Sequence, residues 1–262
     1  MSHFLELHRR GSPLLLANAW DVGSAKVLES LGFEALATTS SGFAATLGRL
    51  DYSVTRDEAL AHAKQIVGAT SLPVSADLEN GFAHDPGGVA ETVRLAIDAG
   101  LAGCSIEDAT GDRGEPIYAM EDAIARVRAA VEAAGDRIVL TARAENHLHG
   151  RDDLDDTIAR LKAFEDAGAH VLYAPGLHTA EQVRAVTEAV SAPVNVLTMP
   201  GLPPVAELGE LGVARISVGG AFAFAALGGV VEAAQELRER GTYDWLARSR
   251  AGGKAAYAAF RE

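Results

Sequence analysis

Short hydrophobic runs alternate with longer amphipathic segments along most of the chain. The runs have the composition of buried β-strands, and the segments between them repeat their apolar positions with the period of an α-helix. Each strand-plus-helix unit spans roughly 30 residues, about one eighth of a ~250-residue (β/α)8 barrel. The predicted strands are residues 14–19, 35–40, 73–78, 103–107, 138–144, 170–174, 193–198 and 215–218.

The amphipathic segments are predicted to be helices, and most of them end near a glycine that can stop a helix. Strands and helices in this alternation indicate an α/β fold, and eight units favour a (β/α)8 TIM barrel. An open, doubly wound sheet is the main competitor, but its GxGxxG and GxxxxGK[ST] nucleotide motifs are absent from the sequence. The predicted helices are residues 22–31, 56–69, 87–99, 119–134, 153–167 and 179–189.

The domain organisation follows from the lack of an internal linker. No Pro-, Ser- or Gly-rich stretch divides the chain, so we expect one barrel domain over residues 1–262. Residues 221–262 are rich in alanine and have helical periodicity, and they are longer than one closing helix requires. We expect this C-terminal helical segment to dock onto a partner subunit.

Composition narrows the functional class. The 262 residues are 48% hydrophobic and 23% charged, and they carry a net charge of −13, which disfavours nucleic acid and membrane surfaces as partners. The N-terminal residues lack the features of a signal peptide, and no apolar run is long enough to span a membrane, so we expect a soluble, cytoplasmic protein. The single cysteine, Cys104, cannot form an intramolecular disulfide or a cysteine-based metal cluster.

Acidic residues follow several predicted strands. Asp77 and Glu79 lie two apart at the end of the third strand, Glu107 ends the fourth, and Asp51 lies in the loop after the second. The carboxyl ends of barrel strands meet at one face, so these carboxylates would repel each other unless a divalent cation bound them. Oxygen ligands without cysteine favour Mg²⁺ or Mn²⁺. The alternative is that Asp77 and Glu79 are ordinary strand-end residues that cap a helix or face solvent.

Other catalytic groups are scarce at the strand ends. All four lysines fall in helical segments or the tail, which argues against a Schiff-base aldolase. No GxSxG motif is present. His147 and His149 follow the fifth strand, where a metal-binding or a loop-ordering role is open to them.

A set of short motifs occurs in order along nearly the whole chain. They are Thr39-Ser40-Ser41-Gly42-Phe43, Asp51, Asp77-Leu78-Glu79-Asn80-Gly81-Phe82, Ile106-Glu107-Asp108 and Ala142-Arg143-Ala144-Glu145. In order and spacing this set resembles the isocitrate lyase/phosphoenolpyruvate mutase superfamily. The resemblance implies a (β/α)8 barrel, a Mg²⁺ cofactor, and C–C or C–P bond chemistry on small 2-oxo or 2-hydroxy carboxylic acids.

The resemblance also assigns roles to residues. It implies that Arg143 binds a substrate oxygen where negative charge grows. Glu107 and Arg113 are further candidate catalytic residues. The substrate carboxylate would be bound by Ser41, Gly42 and Phe43. The metal would be held directly by Asp77 and, through water, by Asp51, Glu79 and Glu107.

Family members also tend to form dimers of dimers that exchange a C-terminal helix. The resemblance therefore implies a homodimer or homotetramer in which residues 221–262 pass to a partner subunit.

The loop after the fourth strand departs from the family pattern. Lyases of the family carry a Lys-Lys/Arg-Cys-Gly-His sequence there, and phosphonomutases usually carry a lysine. Residues 108–116, called the gate loop below, contain no Cys, Lys or His. Isocitrate and methylisocitrate cleavage are therefore disfavoured. Arg113 is a candidate for the missing cation, or it forms a salt bridge with Asp112 or Glu115.

Two further residues lie on strands beside the predicted site. Tyr173 ends the sixth strand and either reaches the substrate or plugs the core. Cys104 precedes Glu107 within the fourth strand, so we expect it in the core rather than in the place of the family's gate cysteine.

Three functional hypotheses follow. The leading one is a Mg²⁺-dependent lyase or hydrolase acting on a small 2-oxo or 2-hydroxy acid. The second is a phosphometabolite enzyme whose phosphate binds the backbone amides of Val218-Gly219-Gly220. The third is a 2-oxo acid binding protein that kept the metal site and lost catalysis.

Overall fold

Parallel strands form the centre of the fold. The computed structural model describes residues 3–261, and in them eight strands close into one barrel in the order β1 to β8. Sequential neighbours pair in parallel, and β8 pairs with β1. The predicted (β/α)8 barrel is therefore confirmed. The strands are β1 Leu14–Asn18, β2 Leu36–Ala37, β3 Val74–Asp77, β4 Gly103–Glu107, β5 Val139–Arg143, β6 Val171–Tyr173, β7 Val194–Leu197 and β8 Arg215–Ser217.

Helices surround the barrel, and the predicted ones agree with the structure to within one or two residues at each end. A short 3-10 helix, Asn146–His149, follows β5. The α-helices are α1 His3–Glu6, α2 Val22–Ser30, α3 Ser40–Thr46, α4 Arg56–Val67, α5 Pro86–Asp98, α6 Met120–Ala134, α7 Leu154–Asp166, α8 Ala180–Ala189, α9 Val205–Glu210, α10 Ala221–Arg240 and α11 Leu246–Ala259.

The second strand is shorter than predicted. The sequence predicts a strand over residues 35–40, whereas β2 ends at Ala37 and α3 begins at Ser40. The reason is the side chain of Thr39, which accepts a hydrogen bond from the Gly42 N–H at 3.3 Å and so caps α3. An N-cap of this kind stabilises a helix by about 1 kcal/mol and turns the chain out of the strand direction.

The main hydrophobic core lies between the barrel and its helices. Leucine, isoleucine, valine and alanine side chains from both layers pack there, including Ile106, Leu140 and Phe164. Cys104 belongs to this core and has no exposed surface, and burial raises the pKa of its thiol to about 12. Cys104 is therefore a core residue, as predicted.

The C-terminal segment forms two helices. In this structure α11 packs against α2 of the same chain, with the Phe260 ring next to Gly23. Helix α10 carries exposed apolar side chains, among them Phe224 and Val230. Exchange of this segment between subunits stays a prediction. None of the described helices is both long and apolar enough to cross a membrane.

Candidate active site

A cavity of about 160 Å³ opens inside the barrel and is called the inner cavity below. Side chains from the strands and from the start of α3 line it, which is where barrel enzymes place their reactive groups. The lining residues that concern the chemistry are Ser41, Asp51, Asp77, Arg143 and Tyr173. Three predicted metal or catalytic residues, Asp51, Asp77 and Arg143, thus face one space.

Arg143 lies at the centre of an acidic cluster. Its Nη1 donates to Asp77 Oδ1 at 2.9 Å, its Nη2 lies 3.0 Å from Glu107 Oε2, and its Nε donates to Glu145 Oε1 at 2.8 Å. Parallel pairing of β4 with β5 aligns Glu107 with Arg143, so the register of the sheet brings this ion pair together. One guanidinium therefore faces three carboxylates.

The cluster has more acid than one cation neutralises. Burial raises the pKa of Glu107 well above its ordinary value, although the nearby Arg143 acts in the opposite direction. Burial likewise raises the pKa of Glu145. Burial alone would lower the pKa of Arg143, but the three carboxylates together raise it well above its usual value. Arg143 is therefore a permanent cation in this site.

Asp51 and Glu79 add to the imbalance. Burial, followed by repulsion from Asp77, raises the pKa of Asp51. The same two causes, together with Asp51, raise the pKa of Glu79 to about 8. The charge of Asp77 acts on both, and Asp77 Oδ2 accepts hydrogen bonds from the Ser40 hydroxyl at 3.0 Å and the Ser40 N–H at 3.3 Å. Such a group of carboxylates attracts a divalent cation.

The donor chemistry fits magnesium or manganese. The available ligands are carboxylate and hydroxyl oxygens, which hard cations prefer. Across residues 3–261 no three His, Cys, Asp or Glu side chains converge closely enough to hold a metal ion directly. Mg²⁺ commonly takes one or two carboxylates and several waters, so this arrangement fits a hydrated ion and not an all-protein cage.

The three residues predicted to bind the substrate carboxylate, Ser41, Gly42 and Phe43, have different surroundings. Ser41 lines the inner cavity, with its hydroxyl 3.3 Å from that of Thr39. Gly42 is buried in the first turn of α3, where the Thr39 cap occupies its N–H. The Phe43 ring stacks on His62 with centroids 3.9 Å apart. Ser41 therefore faces the inner cavity directly, and Gly42 and Phe43 shape the helix that presents it.

A second, larger cavity of about 710 Å³ lies beside the first and is called the outer cavity below. Its lining includes Tyr52, Glu79, Phe82 and the gate-loop residues Thr110–Arg113. An antiparallel bridge between Ala109 and Ile117 closes the gate loop at its base. The predicted catalytic residue Arg113 is thus exposed on the outer cavity, and within the described chain no ion pair joins it to Asp112 or Glu115.

Tyr173 and the two histidines of the β5 loop occupy different surroundings. Tyr173 lines the inner cavity, its ring centroid lies 5.1 Å from Arg143 Cζ, and burial raises its pKa to about 12. His147 is buried, with its Nδ1 3.4 Å from Asp152 Oδ1. Burial, followed by the charge of Arg143, lowers the pKa of His149. Of the three, Tyr173 is the side chain that faces the inner cavity.

Three site residues had no assigned role in the sequence analysis. Glu145 is quoted in a motif but is not predicted to bind Arg143, although its position two residues along an extended chain is a usable signal. Tyr52 donates its hydroxyl to Glu107 Oε1 at 2.5 Å. Asn18 Oδ1 accepts from the N–H groups of Val218 at 3.0 Å and Gly219 at 2.9 Å. Two of the amides required by the phosphate hypothesis are therefore already bonded within the protein.

Comparison with known proteins finds similar sequences among lyases and mutases. A family model described as phosphoenolpyruvate phosphomutase matches residues 4–238. The 2-methylisocitrate lyase of Escherichia coli strain K12 is 30% identical over 217 residues, which are 79% of this chain and 73% of that protein. The oxaloacetate decarboxylase of Paraburkholderia xenovorans strain LB400 is 34% identical over 198 residues, which are 72% of this chain and 64% of that protein.

A solved structure shows the likeness in three dimensions. A protein from Burkholderia cenocepacia J2315 is 54% identical, has a TM-score of 0.90, and is matched over 92% of this chain and 88% of its own. The members of the matched superfamily are lyases and mutases that act on small acids. The chain belongs to the phosphoenolpyruvate mutase/isocitrate lyase superfamily.

Proposed function

We propose that this protein is a Mg²⁺-dependent enzyme that cleaves or rearranges a C–C or C–P bond in a small 2-oxo or 2-hydroxy acid. The observation that carries the proposal is Arg143, held by Asp77, Glu107 and Glu145 at the wall of the inner cavity. Membership of a superfamily of lyases and mutases that act on small acids supports the reaction class.

The chain's own residues can perform two parts of such a reaction. Arg143 is fixed in orientation by its carboxylate partners, so its positive charge is in place before negative charge grows on a substrate oxygen. Stabilisation of this kind acts on the transition state more than on the ground state and therefore raises the rate. The Ser41 hydroxyl, which lines the inner cavity, offers a hydrogen-bond donor to a substrate carboxylate.

The metal would be held by Asp77 directly and by Asp51, Glu79 and Glu107 through water. When bound, Mg²⁺ supplies Lewis-acid polarisation of the substrate's carbonyl and carboxylate oxygens. The excess of buried acid around Arg143 is the feature of this chain that favours its binding.

The volume of the inner cavity supports a small substrate. Its volume is about 160 Å³. Acids of the size of pyruvate or oxaloacetate suit such a space. The occupied amides of Val218 and Gly219 argue against a phosphate bound at the end of β8.

The test is a substrate screen with Mg²⁺. Pyruvate, oxaloacetate, 2-oxoglutarate and phosphonopyruvate are measured for turnover and, by calorimetry, for binding. We expect turnover of at least one acid, and we expect Asp77→Asn to reduce it by about a hundredfold or more because the nearest metal ligand is weakened.

The matched control is Asp57→Asn on α4, whose side chain is 92% exposed and which should keep full activity. Binding of an acid without any turnover would instead support the binding-protein hypothesis. Turnover that is unaffected by chelation of the metal would overturn the proposed role of Mg²⁺.

A further inference from the structure

Three residues that line the outer cavity have an unusual backbone conformation. Among residues 3–261, three non-glycine residues have positive φ, namely Tyr52 at 60°, Glu79 at 47° and Phe82 at 54°. All three line the outer cavity. A left-handed conformation of a bulky residue costs of order 1–3 kcal/mol and persists only where surrounding contacts impose it. The strain is therefore concentrated at one place, next to the proposed active site.

Tyr52 connects this cavity to the site chemistry. Its side chain is on the outer cavity and the residue is 42% exposed, yet its hydroxyl donates to Glu107, which is 3% exposed. The other oxygen of Glu107 binds Arg143 on the inner cavity. A half-exposed ring anchored to a buried carboxylate has little freedom to move away.

The two cavities are separated by very little protein at this point. Asp51 lines the inner cavity, and the next residue, Tyr52, lines the outer one. Likewise Asp77 lines the inner cavity and Glu79 the outer one. The left-handed backbone of Tyr52 places its ring where an extended residue would not place it.

We propose that Tyr52 is a specificity-determining residue: its ring is the partition between the inner and outer cavities and restricts the enzyme to short acids. This proposal rests on the proposed function, because it concerns the length of the same 2-oxo acid substrate. Without the ring, the 160 Å³ inner cavity would join the 710 Å³ outer cavity, and an acid with a longer chain would fit.

The test compares two variants of one residue. Tyr52→Gly removes the ring and suits the positive φ, so it relieves backbone strain and should fold. Tyr52→Phe keeps the ring and removes only the hydroxyl bond to Glu107. Dissociation constants are measured by calorimetry in Mg²⁺ for oxalate, a planar mimic of a pyruvate enolate, and for the six-carbon acid 2-oxoadipate.

We expect the wild-type protein to bind oxalate well and 2-oxoadipate poorly. In Tyr52→Gly the ratio of the two dissociation constants should shift toward 2-oxoadipate by at least about tenfold, the size of effect that a change in pocket shape produces. In Tyr52→Phe the shift should stay below about threefold. Leu50→Gly is the matched control, because Leu50 lies in the same loop and is 83% exposed, and its ratio should equal that of the wild type.

The outcomes separate the two proposals. If the wild type binds oxalate and Tyr52→Gly leaves the ratio unchanged, the partition is wrong and the proposed function stands. If the wild type binds neither acid in Mg²⁺, the proposed function fails and the partition fails with it. A shift in Leu50→Gly as large as that in Tyr52→Gly would also overturn the partition, since loop flexibility would then explain the effect.

Discussion

Arg143, with 12% of its side chain exposed, and Arg215, which is buried, both lie in the barrel wall, yet their surroundings differ completely. Arg143, at the end of β5, contacts three carboxylates. Arg215, at the start of β8, has its Nε bonded to Asn195 Oδ1 at 2.9 Å and its Nη1 3.2 Å from His8 Nε2, and both partners are uncharged amide or imidazole groups. Burial lowers the pKa of Arg215 to about 10, whereas the carboxylates raise that of Arg143.

The contrast separates two uses of a buried cation. At the carboxyl ends of the strands, several carboxyl groups surround one guanidinium, and their burial raises their pKa values. Near the amino ends, neutral groups satisfy the hydrogen bonds of the other guanidinium and add no opposing charge. Barrel enzymes place their catalytic groups at the first end, where Arg143 lies. Arg215 lines the same inner cavity from the start of β8.

The largest effect is expected from Arg143→Met. Removing the cation leaves Glu107 and Glu145 buried without their partner, so the free energy of unfolding should fall by about 3–5 kcal/mol at pH 7.5. Urea denaturation measures the loss, and activity on the screened acid should disappear. The control is Arg94→Met on α5, whose surface pair with Glu91 should contribute less than about 1 kcal/mol. Equal losses in the two variants would contradict the special position of Arg143.

A pH-dependent effect of intermediate size is expected at His8. Burial, followed by the charge of Arg215, lowers the pKa of His8 from 6.5 to about 3. The unfolded chain therefore binds this proton more readily, and the contribution of His8 to stability is lost as the pH falls from about 6.5 toward 3. In His8→Gln the slope of unfolding free energy against pH should decrease by up to about 1.4 kcal/mol per pH unit in that window.

The control for that measurement is His178→Gln, since His178 is exposed on the loop before α8. Its pH profile should match that of the wild type. If His8→Gln has the wild-type slope between pH 6 and pH 4, the neutral character of the region around Arg215 is disproved.

The smallest effect is expected from Arg215→Met. The variant removes a desolvated charge and fills a similar volume, but it leaves Asn195 Oδ1 without its donor, so the two changes partly offset each other. We expect a loss of about 1 kcal/mol in urea denaturation, and we expect the pKa of His8 to rise because a nearby positive charge is gone. A loss as large as that of Arg143→Met would remove the contrast between the two arginines.

Much of the fold could be predicted because its signals are local. The strand and helix boundaries follow from hydrophobic period and from caps such as Asp21 and Thr179, whose side chains bind the first turn of their helices. The early end of β2 did not follow from the same period, because the β-branched Thr38 and Thr39 suit a strand, whereas the Thr39 side chain instead caps α3.

The site was predictable where it depends on strand ends and not where it depends on loops. Asp77, Glu107 and Arg143 lie on consecutive parallel strands, so their meeting follows from topology. Tyr52 reaches Glu107 through a left-handed backbone, and no hydrophobic periodicity in the sequence indicates such a conformation. Arg215 lies on the inside of the barrel, where its neutral partners come from β7 and from the segment after α1, far apart in the chain.

The burial of the one cysteine makes the folded protein inert toward thiol-directed dyes. Because the Cys104 thiol is inaccessible and ionises only near pH 12, maleimide reagents would not modify it at neutral pH. A cysteine introduced at the rim of the gate loop, for example at the exposed position Glu115 as Glu115→Cys, would then be the single attachment point for a fluorophore. Movements of that rim during turnover become observable in an otherwise native background.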